Sequence, residues 1–228
     1  MPTVLITGTN RGIGLAFTKQ YAEAGWRVLA CCRAPESASA LNALAAKHNN
    51  IEVFTLDVAN FSQIDALAQQ LKNVAIDVLI NNAGVYPSGD LSDKDVETWL
   101  DGFKVNSIAP LKMAKAFTPH IAKSQLKKVA TLSSKMGSID DNTSGGSYMY
   151  RSTKTAINMV MKSLSVDLAP AGIAVVTLHP GWVETDMGGP NALINTETSV
   201  AGLRKVIDNL SLSNTGRFIA YDGKQIAW

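Results

Sequence analysis

The stretch TVLITGTNRGIGLAFTKQYAEAG, residues 3 to 25, decides the fold of this chain. It opens with an apolar, β-branched run, TVLIT from Thr3, which is typical of a buried strand. Residues from Leu15 to Ala24 then follow a helical spacing. Gly8, Gly12 and Gly14 lie between these two segments. The stretch therefore predicts a strand, a glycine-rich turn and a helix.

The glycine-rich turn has two interpretations. Glycines permit a tight turn and allow a pyrophosphate to approach backbone N–H groups at the positive end of a helix, so a nucleotide site is indicated. A plain strand-to-helix turn without a ligand is the alternative. The spacing of Gly8 and Gly12 differs from the G-x-G-x-x-G dinucleotide fingerprint, and no Gly-Lys-Ser/Thr follows to hold a triphosphate. The turn therefore disfavours a P-loop ATPase.

The alternation of strand and helix continues along the chain. Further strand candidates begin at Arg27, Ile51, Ile76, Lys128, Ile173 and Arg217, and helical spacing recurs at 37–47, 62–71, 96–123, 150–168 and 198–210. Such alternation predicts a parallel sheet with helices on both faces. The expected fold class is therefore α/β, a doubly wound parallel sheet of the Rossmann type, with residues 1–228 as a single domain.

Composition and charge exclude several classes of protein. Hydrophobic residues make up 46% of the chain and charged residues 18%, which is ordinary globular usage. The net charge of +2 is too balanced to predict nucleic acid or a membrane surface as a partner. No apolar run approaches the roughly 20 residues that span a bilayer, and no signal peptide is evident. The adjacent Cys31 and Cys32 fit a reducing compartment, so we expect a cytoplasmic protein.

The histidines and serines argue against two classes of enzyme. His48, His120 and His179 are scattered without a second ligand at metal spacing, so we expect surface or packed histidines and no metal site. A serine hydrolase needs a nucleophile elbow of the form G-x-S-x-G, and the sequence contains none. An enzyme of another class or a small-ligand binder remains.

Two arginines lie where a dinucleotide would place its adenosine ribose. Ligands of doubly wound sheets bind at the carboxyl ends of the strands, and NAD-binding proteins carry Asp or Glu after the second strand. No acidic residue occurs from Val28 to Pro35; Arg33 stands there instead, and Arg11 lies in the glycine-rich turn. Guanidinium groups suit a 2′-phosphate, which favours NADP over NAD. Either arginine alone is more often a solvated surface residue, so the prediction needs both.

The third and fourth strand ends carry further polar groups. Asp57 follows the third strand and has two interpretations: it accepts a hydrogen bond from an adenine amino group, or it caps the helix that starts near Asn60. The turn NNAG, from Asn81 to Gly84, follows the fourth strand and can contact the same moiety through its backbone.

Tyr150 and Lys154 form a candidate acid–base pair. They lie four residues apart in a strongly helical segment and so share one face of a helix. A lysine ammonium beside a phenol favours the phenolate, so we expect the pKa of Tyr150 to fall from about 10 toward working pH. Such a pair also arises by chance. Its weight comes from its position after the fifth strand end, where Ser133 and Ser134 lie.

Asn106 lies in the helical segment after the fourth strand, with Pro110 four residues further on. Proline has no N–H, so the carbonyl of Asn106 loses its helical partner and we expect a kink there. A carbonyl freed in this way can hold a water molecule. The alternative is a helix that bends only for packing.

These motifs together resemble the short-chain dehydrogenase/reductase superfamily. The resemblance covers nearly the whole chain and rests on TGTNRGIG from Thr7, NNAG from Asn81, Asn106, YRSTK from Tyr150 and HPGWVET from His179. The stretches SSKMGSI, GGSYMYRSTKTAINM and LHPGWVETDMGG, with the ending YDGKQIAW, are similar more narrowly to the C-factor and Sniffer-like carbonyl reductases.

The resemblance implies a role for each motif. Tyr150 protonates the carbonyl oxygen of the substrate, and Ser134 hydrogen-bonds that oxygen. Lys154 binds the nicotinamide ribose and lowers the pKa of the tyrosine, while Asn106 holds a relay water through its carbonyl. Besides Tyr150 and Lys154, the expected cofactor contacts are Gly8, Asn10, Arg11, Gly12, Ile13, Gly14, Arg33, Asp57, Val58, Asn81, Ala83, Gly84, Pro180, Gly181, Val183 and Thr185.

Two details of the site have alternatives. The loop between Ser134 and Tyr150 is longer than in the commonest family members, so Ser133 is an alternative for the catalytic serine. Met136, Trp182 and Met187 are candidate apolar walls of the substrate pocket, with plain core positions as the alternative.

The resemblance predicts an NADPH-dependent carbonyl reductase that acts reversibly on aldehydes or ketones. The short segment from Thr185 to Asn195 leaves little chain for a lid, which implies an open pocket and broad carbonyl acceptance. A nucleotide-binding signalling module of the C-factor type and an NAD-linked dehydrogenase of narrow specificity are the alternatives. We expect a homodimer or homotetramer that assembles through the helices at 96–123 and 150–168.

Overall fold

The computed structural model describes residues 1–88 and 95–228. The strands in chain order are β1 (Thr3–Thr7), β2 (Arg27–Cys32), β3 (Ile51–Thr55), β4 (Val78–Asn81), β5 (Lys128–Leu132), β6 (Ala174–His179) and β7 (Arg217–Ala220). The helices are α1 (Gly12–Glu23), α2 (Ser39–Ala45), α3 (Phe61–Gln70), α4 (Val96–Phe103), α5 (Ala109–Ala122), α6 (Tyr148–Asp167) and α7 (Thr196–Asp208). No helix within the described ranges is long and apolar enough to cross a bilayer.

The strands form one sheet in the order β3-β2-β1-β4-β5-β6-β7, and every neighbouring pair is parallel. The chain first builds outward from β1 to β3 and then crosses back to place β4 on the other side of β1. This reversal opens a crevice between the loops that follow β1 and β4, which is where ligands bind in doubly wound sheets. The predicted fold class, a doubly wound sheet of the Rossmann type, is confirmed.

Two layers of helices cover the sheet because the side chains of each strand alternate between its faces. In β1, Val4 and Ile6 pack into the core beneath α1, α2 and α7, whereas Leu5 packs into the core beneath α3, α5 and α6. All five residues of β1 are buried. A continuous apolar run is the pattern that a central parallel strand requires, which explains why TVLIT identified the fold.

The helical segment predicted at 96–123 is interrupted. A π-helical stretch, Lys104–Ile108, separates α4 from α5. Pro110 has no N–H to donate to the carbonyl of Asn106, so the regular hydrogen-bond ladder cannot continue through this point. A widened, π-helical turn therefore lies where a kink was predicted. It places Asn106 and Ser107 against α6, where both are buried.

A buried carboxylate connects three strands at their amino ends. Asp77, which precedes β4, accepts a hydrogen bond at Oδ2 from the backbone N–H of Thr3, the first residue of β1 (2.8 Å). Its Oδ1 accepts longer bonds from the N–H groups of Gln125 (3.3 Å) and Leu126 (3.4 Å), in the segment that leads into β5. Asp77 therefore fixes β1 and β5 against β4 at the end of the sheet opposite the crevice.

Replacing Asp77 by alanine should destabilise the protein, because three backbone N–H groups lose their acceptor. Hydrogen bonds to charged groups contribute substantially to stability, so Asp77→Ala should lower the free energy of unfolding by about 2 to 3 kcal/mol in urea denaturation. The control is Asp65→Ala at an exposed position on α3, which should change that free energy by less than about 0.5 kcal/mol. Equal losses in the two variants would contradict the role of Asp77.

Candidate active site

The glycine-rich turn after β1 is built for a close approach. Gly8 and Gly12 have left-handed backbones, with φ of +71° and +55°, which side chains disfavour. A Cβ at Gly14 would lie 2.0 Å from the carbonyl oxygen of Gly8. Position 14 therefore requires glycine so that α1 can pack against the end of β1. The turn presents bare backbone at the N-terminus of α1.

Hydrogen bonds tie this turn to the strands on both sides of β1. The N–H of Thr9 donates to the carbonyl of Cys31 at the end of β2 (3.1 Å). On the other side, Nδ2 of Asn82 donates to the carbonyls of Thr7 (2.8 Å) and Gly8 (3.0 Å). Asn82 lies inside the NNAG turn but was not among the predicted contacts. The crevice therefore has fixed walls.

The two predicted phosphate-binding arginines differ in their surroundings. Arg33, the residue that follows β2, is exposed. Arg11, also exposed, forms an ion pair with Asp186 of the loop between β6 and α7. Arg11 thus already has an anionic partner across the crevice, in a position that the spacing of the sequence did not indicate.

Asp57 does not cap the helix that follows it. Its Oδ1 accepts a hydrogen bond from the N–H of Ala59 within its own turn (2.9 Å), and its N–H donates to Oε1 of Gln63 (2.8 Å). The residue at the cap position of α3 is Asn60, whose side chain makes no capping hydrogen bond. The alternative that Asp57 serves as the cap is therefore wrong, because the intervening turn holds its carboxylate away from the helix.

Tyr150 and Lys154 lie buried on one face of α6, as their spacing predicts. The Nζ of Lys154 is 5.6 Å from the centre of the Tyr150 ring and donates to the carbonyl of Leu132 at the end of β5 (3.0 Å). The hydroxyl of Ser134 lies beside the phenol. A serine, a phenol and an amine thus meet at the carboxyl end of β5.

The two neighbouring serines face different surroundings. Ser133 is buried, and its Oγ donates to Oδ1 of Asn158 on α6 (2.6 Å) and to the carbonyl of Lys154 (3.3 Å). Ser134 is half-buried and its Oγ accepts from the N–H of Met136 (3.2 Å). Of these two serine hydroxyls, that of Ser134 is the one that acts on the phenol of Tyr150.

The expected fall in the pKa of Tyr150 is wrong for this structure. Burial raises the pKa of Tyr150 to about 12, with the Ser134 hydroxyl opposing the rise. Burial also lowers the pKa of Lys154 to about 8. Both effects have one cause, because a site screened from water disfavours the phenolate and the ammonium alike. The phenol is therefore protonated at neutral pH.

A second tyrosine forms part of the site and was not predicted. The ring of Tyr86 lies 4.5 Å from the ring of Tyr150, and its hydroxyl hydrogen-bonds to Oγ of Ser147, the residue before α6 (3.1 Å). Tyr86 is exposed and follows the NNAG turn by two positions. Its place after a strand that borders the crevice was the available signal.

The side chain of Asn106 joins the segment after β4 to α6. Its Oδ1 accepts from the N–H of Val85 (2.9 Å), and its Nδ2 donates to the carbonyl of Val85 (2.9 Å) and to Oγ1 of Thr153 (3.0 Å). A Cβ at Gly84 would lie 3.2 Å from Oδ1 of Asn106 and 3.7 Å from Nζ of Lys154. The NNAG turn therefore reaches the amine of the site.

The loop after β6 approaches the glycine-rich turn. Gly181 has a φ of +87°, and a Cβ there would lie 2.7 Å from the side chain of Ile194. Val183 pairs with Ile194 in an isolated β-bridge. The methyl carbon of Thr185 would lie 3.3 Å from a Cβ placed on Gly12. The structure thus brings together two of the segments predicted to contact a cofactor.

The three predicted wall residues differ in exposure. Met136 is half-buried beside Ser134, whereas Trp182 and Met187 are 50% and 53% exposed. Nε1 of Trp182 donates to the carbonyl of Gly188 (2.7 Å), which fixes the indole on the loop. The alternative that Trp182 and Met187 are plain core residues is therefore wrong.

His179 is a packed residue, as expected. Its Nδ1 accepts a hydrogen bond from the N–H of Lys135 (3.2 Å), and burial lowers its pKa to about 4. The imidazole is therefore neutral at physiological pH. It joins the end of β6 to the turn that follows Ser134.

Comparison with known proteins agrees with this geometry. Residues 2–193 match the short chain dehydrogenase family. The chain is 44% identical over 166 residues to the C-signal of Myxococcus xanthus. This match covers 72% of this chain and 99% of that protein. It matches the structure of the carbonyl reductase Sniffer of D. melanogaster with a TM-score of 0.94 and 38% identity, over 100% of each chain. An NADPH-bound carbonyl reductase from chicken fatty liver matches with a TM-score of 0.94 and 35% identity, over 100% of this chain and 99% of that one. The chain belongs to the short-chain dehydrogenase family of oxidoreductases.

Proposed function

We propose that this chain is an NADPH-dependent carbonyl reductase that converts aldehydes or ketones to alcohols by reversible hydride transfer. The observation that carries the proposal is the buried phenol of Tyr150, which is protonated at neutral pH between the hydroxyl of Ser134 and the amine of Lys154. Reduction of a carbonyl needs a proton donor and a hydrogen-bond donor at the same oxygen, because that oxygen gains negative charge as hydride arrives.

The residues of the group have different tasks in the proposed reaction. The hydroxyl of Ser134 donates a hydrogen bond to the carbonyl oxygen of the substrate, and Tyr150 gives its phenolic proton to that oxygen. The ammonium of Lys154 then stabilises the phenolate and binds the nicotinamide ribose. The backbone carbonyl of Asn106 holds a water through which the phenol regains its proton.

The glycine-rich turn fits the pyrophosphate of a dinucleotide. It presents bare backbone at the N-terminus of α1, whose first turn carries no acidic residue, so the partial positive charge of the helix end favours phosphate. Bound NADPH supplies the hydride. The NADPH-bound state of the similar chicken carbonyl reductase supports this choice of cofactor.

The remaining cofactor contacts follow the carboxyl edge of the sheet. Asn10, Ile13 and the glycines would hold the pyrophosphate, and Asp57 and Val58 would contact the adenine. Arg33 would bind the 2′-phosphate, whereas Arg11 would first have to leave Asp186 to do so. The NNAG turn, with Asn81, Ala83 and Gly84, would add backbone contacts to the adenine. The residues that would contact the nicotinamide end are Pro180, Gly181, Val183 and Thr185.

The substrate pocket is proposed to be open and apolar. Met136, Trp182 and Met187 form its walls together with Tyr86, and all of these except Met136 are exposed in this structure. An exposed apolar wall places few demands on the shape of a substrate, so we propose that aldehydes and ketones of several sizes are accepted.

We also propose a homodimer or homotetramer. Several apolar side chains are exposed on the segments from α4 to α6: Leu100, Ile108, Leu111, Met159 and Val166. Large exposed apolar patches are typical of interaction surfaces.

A nucleotide-binding signalling module is the second candidate function, and the identity to C-signal favours it. A sensor needs the glycine-rich turn but has no use for a proton donor. The presence of both Tyr150 and Lys154 in one buried group therefore supports catalysis over sensing.

Tyr150→Phe tests the proton donor. The variant keeps the ring but loses the acidic hydroxyl, so turnover of aldehydes with NADPH should fall by at least about 100-fold while NADPH binding stays within about twofold of the wild type. Tyr148→Phe, at an exposed position on the same helix, is the matched control and should keep full turnover. Turnover near the wild-type level in Tyr150→Phe would show that the proton comes from elsewhere.

The pair of serine variants tests which hydroxyl aligns the substrate. Ser134→Ala should cost about 3 kcal/mol of transition-state stabilisation, measured as the ratio of kcat/KM values, because one donor to the developing oxyanion is lost. Ser133→Ala should change kcat/KM much less, since its hydroxyl is bonded to Asn158. The opposite ranking would move the role to Ser133.

Cofactor preference tests the arginines. A 2′-phosphate contact should separate NADPH from NADH by at least about tenfold in kcat/KM, which about 1.4 kcal/mol suffices to produce. Arg33→Ala should lose most of this preference and leave the use of NADH nearly unchanged. Arg11→Ala should lose less, since its guanidinium is paired with Asp186. Arg217→Ala, at an exposed position on β7, is the control. Equal efficiency of the wild type with both cofactors would refute the NADP assignment.

A further inference from the structure

Arg151 bridges the two ends of the segment that separates Ser134 from Tyr150. Its Nη1 donates to the carbonyl of Met136, near the start of the segment (3.2 Å). At the other end, Nη2 donates to Oγ of Ser144 (2.8 Å), and Nε donates to the carbonyls of Gly145 and Gly146 (3.2 Å each). One guanidinium therefore closes this long loop upon itself.

All three nitrogens of this guanidinium donate to the protein's own loop. The planar group holds its N–H donors in a rigid fork, so four acceptors on two parts of the loop are kept at a set separation. A residue engaged in this way is not suited to bind an anionic substrate or a cofactor phosphate. The geometry instead points to a role within the protein.

The loop that Arg151 holds has a left-handed backbone where it enters α6. Gly145, Gly146 and Ser147 follow one another in the left-handed region, with φ of 65°, 65° and 48°. A left-handed serine is uncommon, and such conformations persist when surrounding contacts enforce them. Two sets of contacts hold this backbone in place. Arg151 bonds the carbonyls of Gly145 and Gly146, and the hydroxyl of Tyr86 bonds Oγ of Ser147.

A single residue connects the guanidinium to the serine of the site. The carbonyl of Met136 accepts from Arg151, and the N–H of Met136 donates to Oγ of Ser134 (3.2 Å). Arg151 and Tyr150 are adjacent on α6, so the same helix turn carries both the phenol and the group that holds the serine in front of it.

We propose that Arg151 is a positioning residue that, through Met136, sets where the hydroxyl of Ser134 lies relative to the phenol of Tyr150. The inference rests on the function proposed above, since Ser134 and Tyr150 act there on one carbonyl oxygen. In this role Arg151 does not bind substrate or cofactor, because all three of its guanidinium nitrogens donate to the loop. Its removal should therefore lower kcat through Ser134 and leave the binding of NADPH unaffected.

A double-mutant cycle with Arg151→Met and Ser134→Ala tests this. Methionine keeps the apolar stem and removes every donor. Arg151→Met alone should lower kcat for aldehyde reduction about 10- to 100-fold, since small displacements of a catalytic group have effects of that size. Added to Ser134→Ala, it should lower kcat by less than about threefold, because residues that act through one another are not additive. The dissociation constant of NADPH should stay within about twofold in each variant.

Two further variants separate positioning from general loss of structure. Arg151→Lys keeps the charge and part of the donor set, so it should recover kcat to within about fivefold of the wild type. Arg217→Met, at an exposed position on β7, is the matched control and should leave kcat unchanged. The inference would be overturned if the double variant lost kcat by the product of the two single-variant losses. It would also be overturned if Arg151→Met weakened NADPH binding as much as it lowers kcat.

Failure of the proposed function gives a different result. A wild-type protein that binds NADPH but reduces no aldehyde or ketone would refute the proposed reaction and leave the geometry to be tested by crystallography. In that case the structure of Arg151→Met decides: displacement of Ser134 Oγ away from the phenol of Tyr150 supports the positioning role. An unmoved Ser134 would overturn it.

Discussion

Parallel pairing of β1 with both β2 and β4 is the constraint on which the rest of this structure depends. A strand with hydrogen-bonded neighbours on both sides cannot shift, so the turn that leaves its carboxyl end is fixed in place. The loops from the two sides then run in opposite directions and leave the crevice open. Thr9 and Asn82 reinforce this arrangement, because each bonds the glycine-rich turn to one of the flanking strands. Every segment of the proposed site begins at this edge.

Burial determines the chemistry available at the edge. The phenol of Tyr150 and the amine of Lys154 share a part of α6 that is screened from water, and both are driven toward their neutral forms. A neutral phenol is a proton donor, which suits reduction of a carbonyl more than oxidation of an alcohol at neutral pH. The hydroxyl of Ser134 counteracts part of this effect. Desolvation outweighs this hydrogen bond, so the phenol keeps the proton that reduction requires.

The fold could be predicted almost completely from the sequence, but only part of the site could. Apolar runs such as TVLIT and the helical spacing between them are local signals, and the helix spacing of Tyr150 and Lys154 correctly placed them on one face. The bonds of Asp77 and Arg151 could not be foreseen, since they join parts of the chain that only the fold brings together. The spacing of residues also does not show which side chains are screened from water. The predicted direction of the pKa shift of Tyr150 was wrong for this reason.

The two serines illustrate the same limit and its physical origin. Adjacent residues at the end of a strand point to opposite sides of the sheet, so Ser133 and Ser134 cannot share one environment. Sequence spacing cannot assign the sides when both residues are serine. The structure turns Ser133 toward Asn158, whose Nδ2 donates in turn to the carbonyl of Gly137 (3.1 Å), and a Cβ at Gly137 would lie 2.7 Å from the Lys154 backbone. Ser133 thereby packs the end of β5 against α6. The hydroxyl of Ser134 is left facing the phenol of Tyr150.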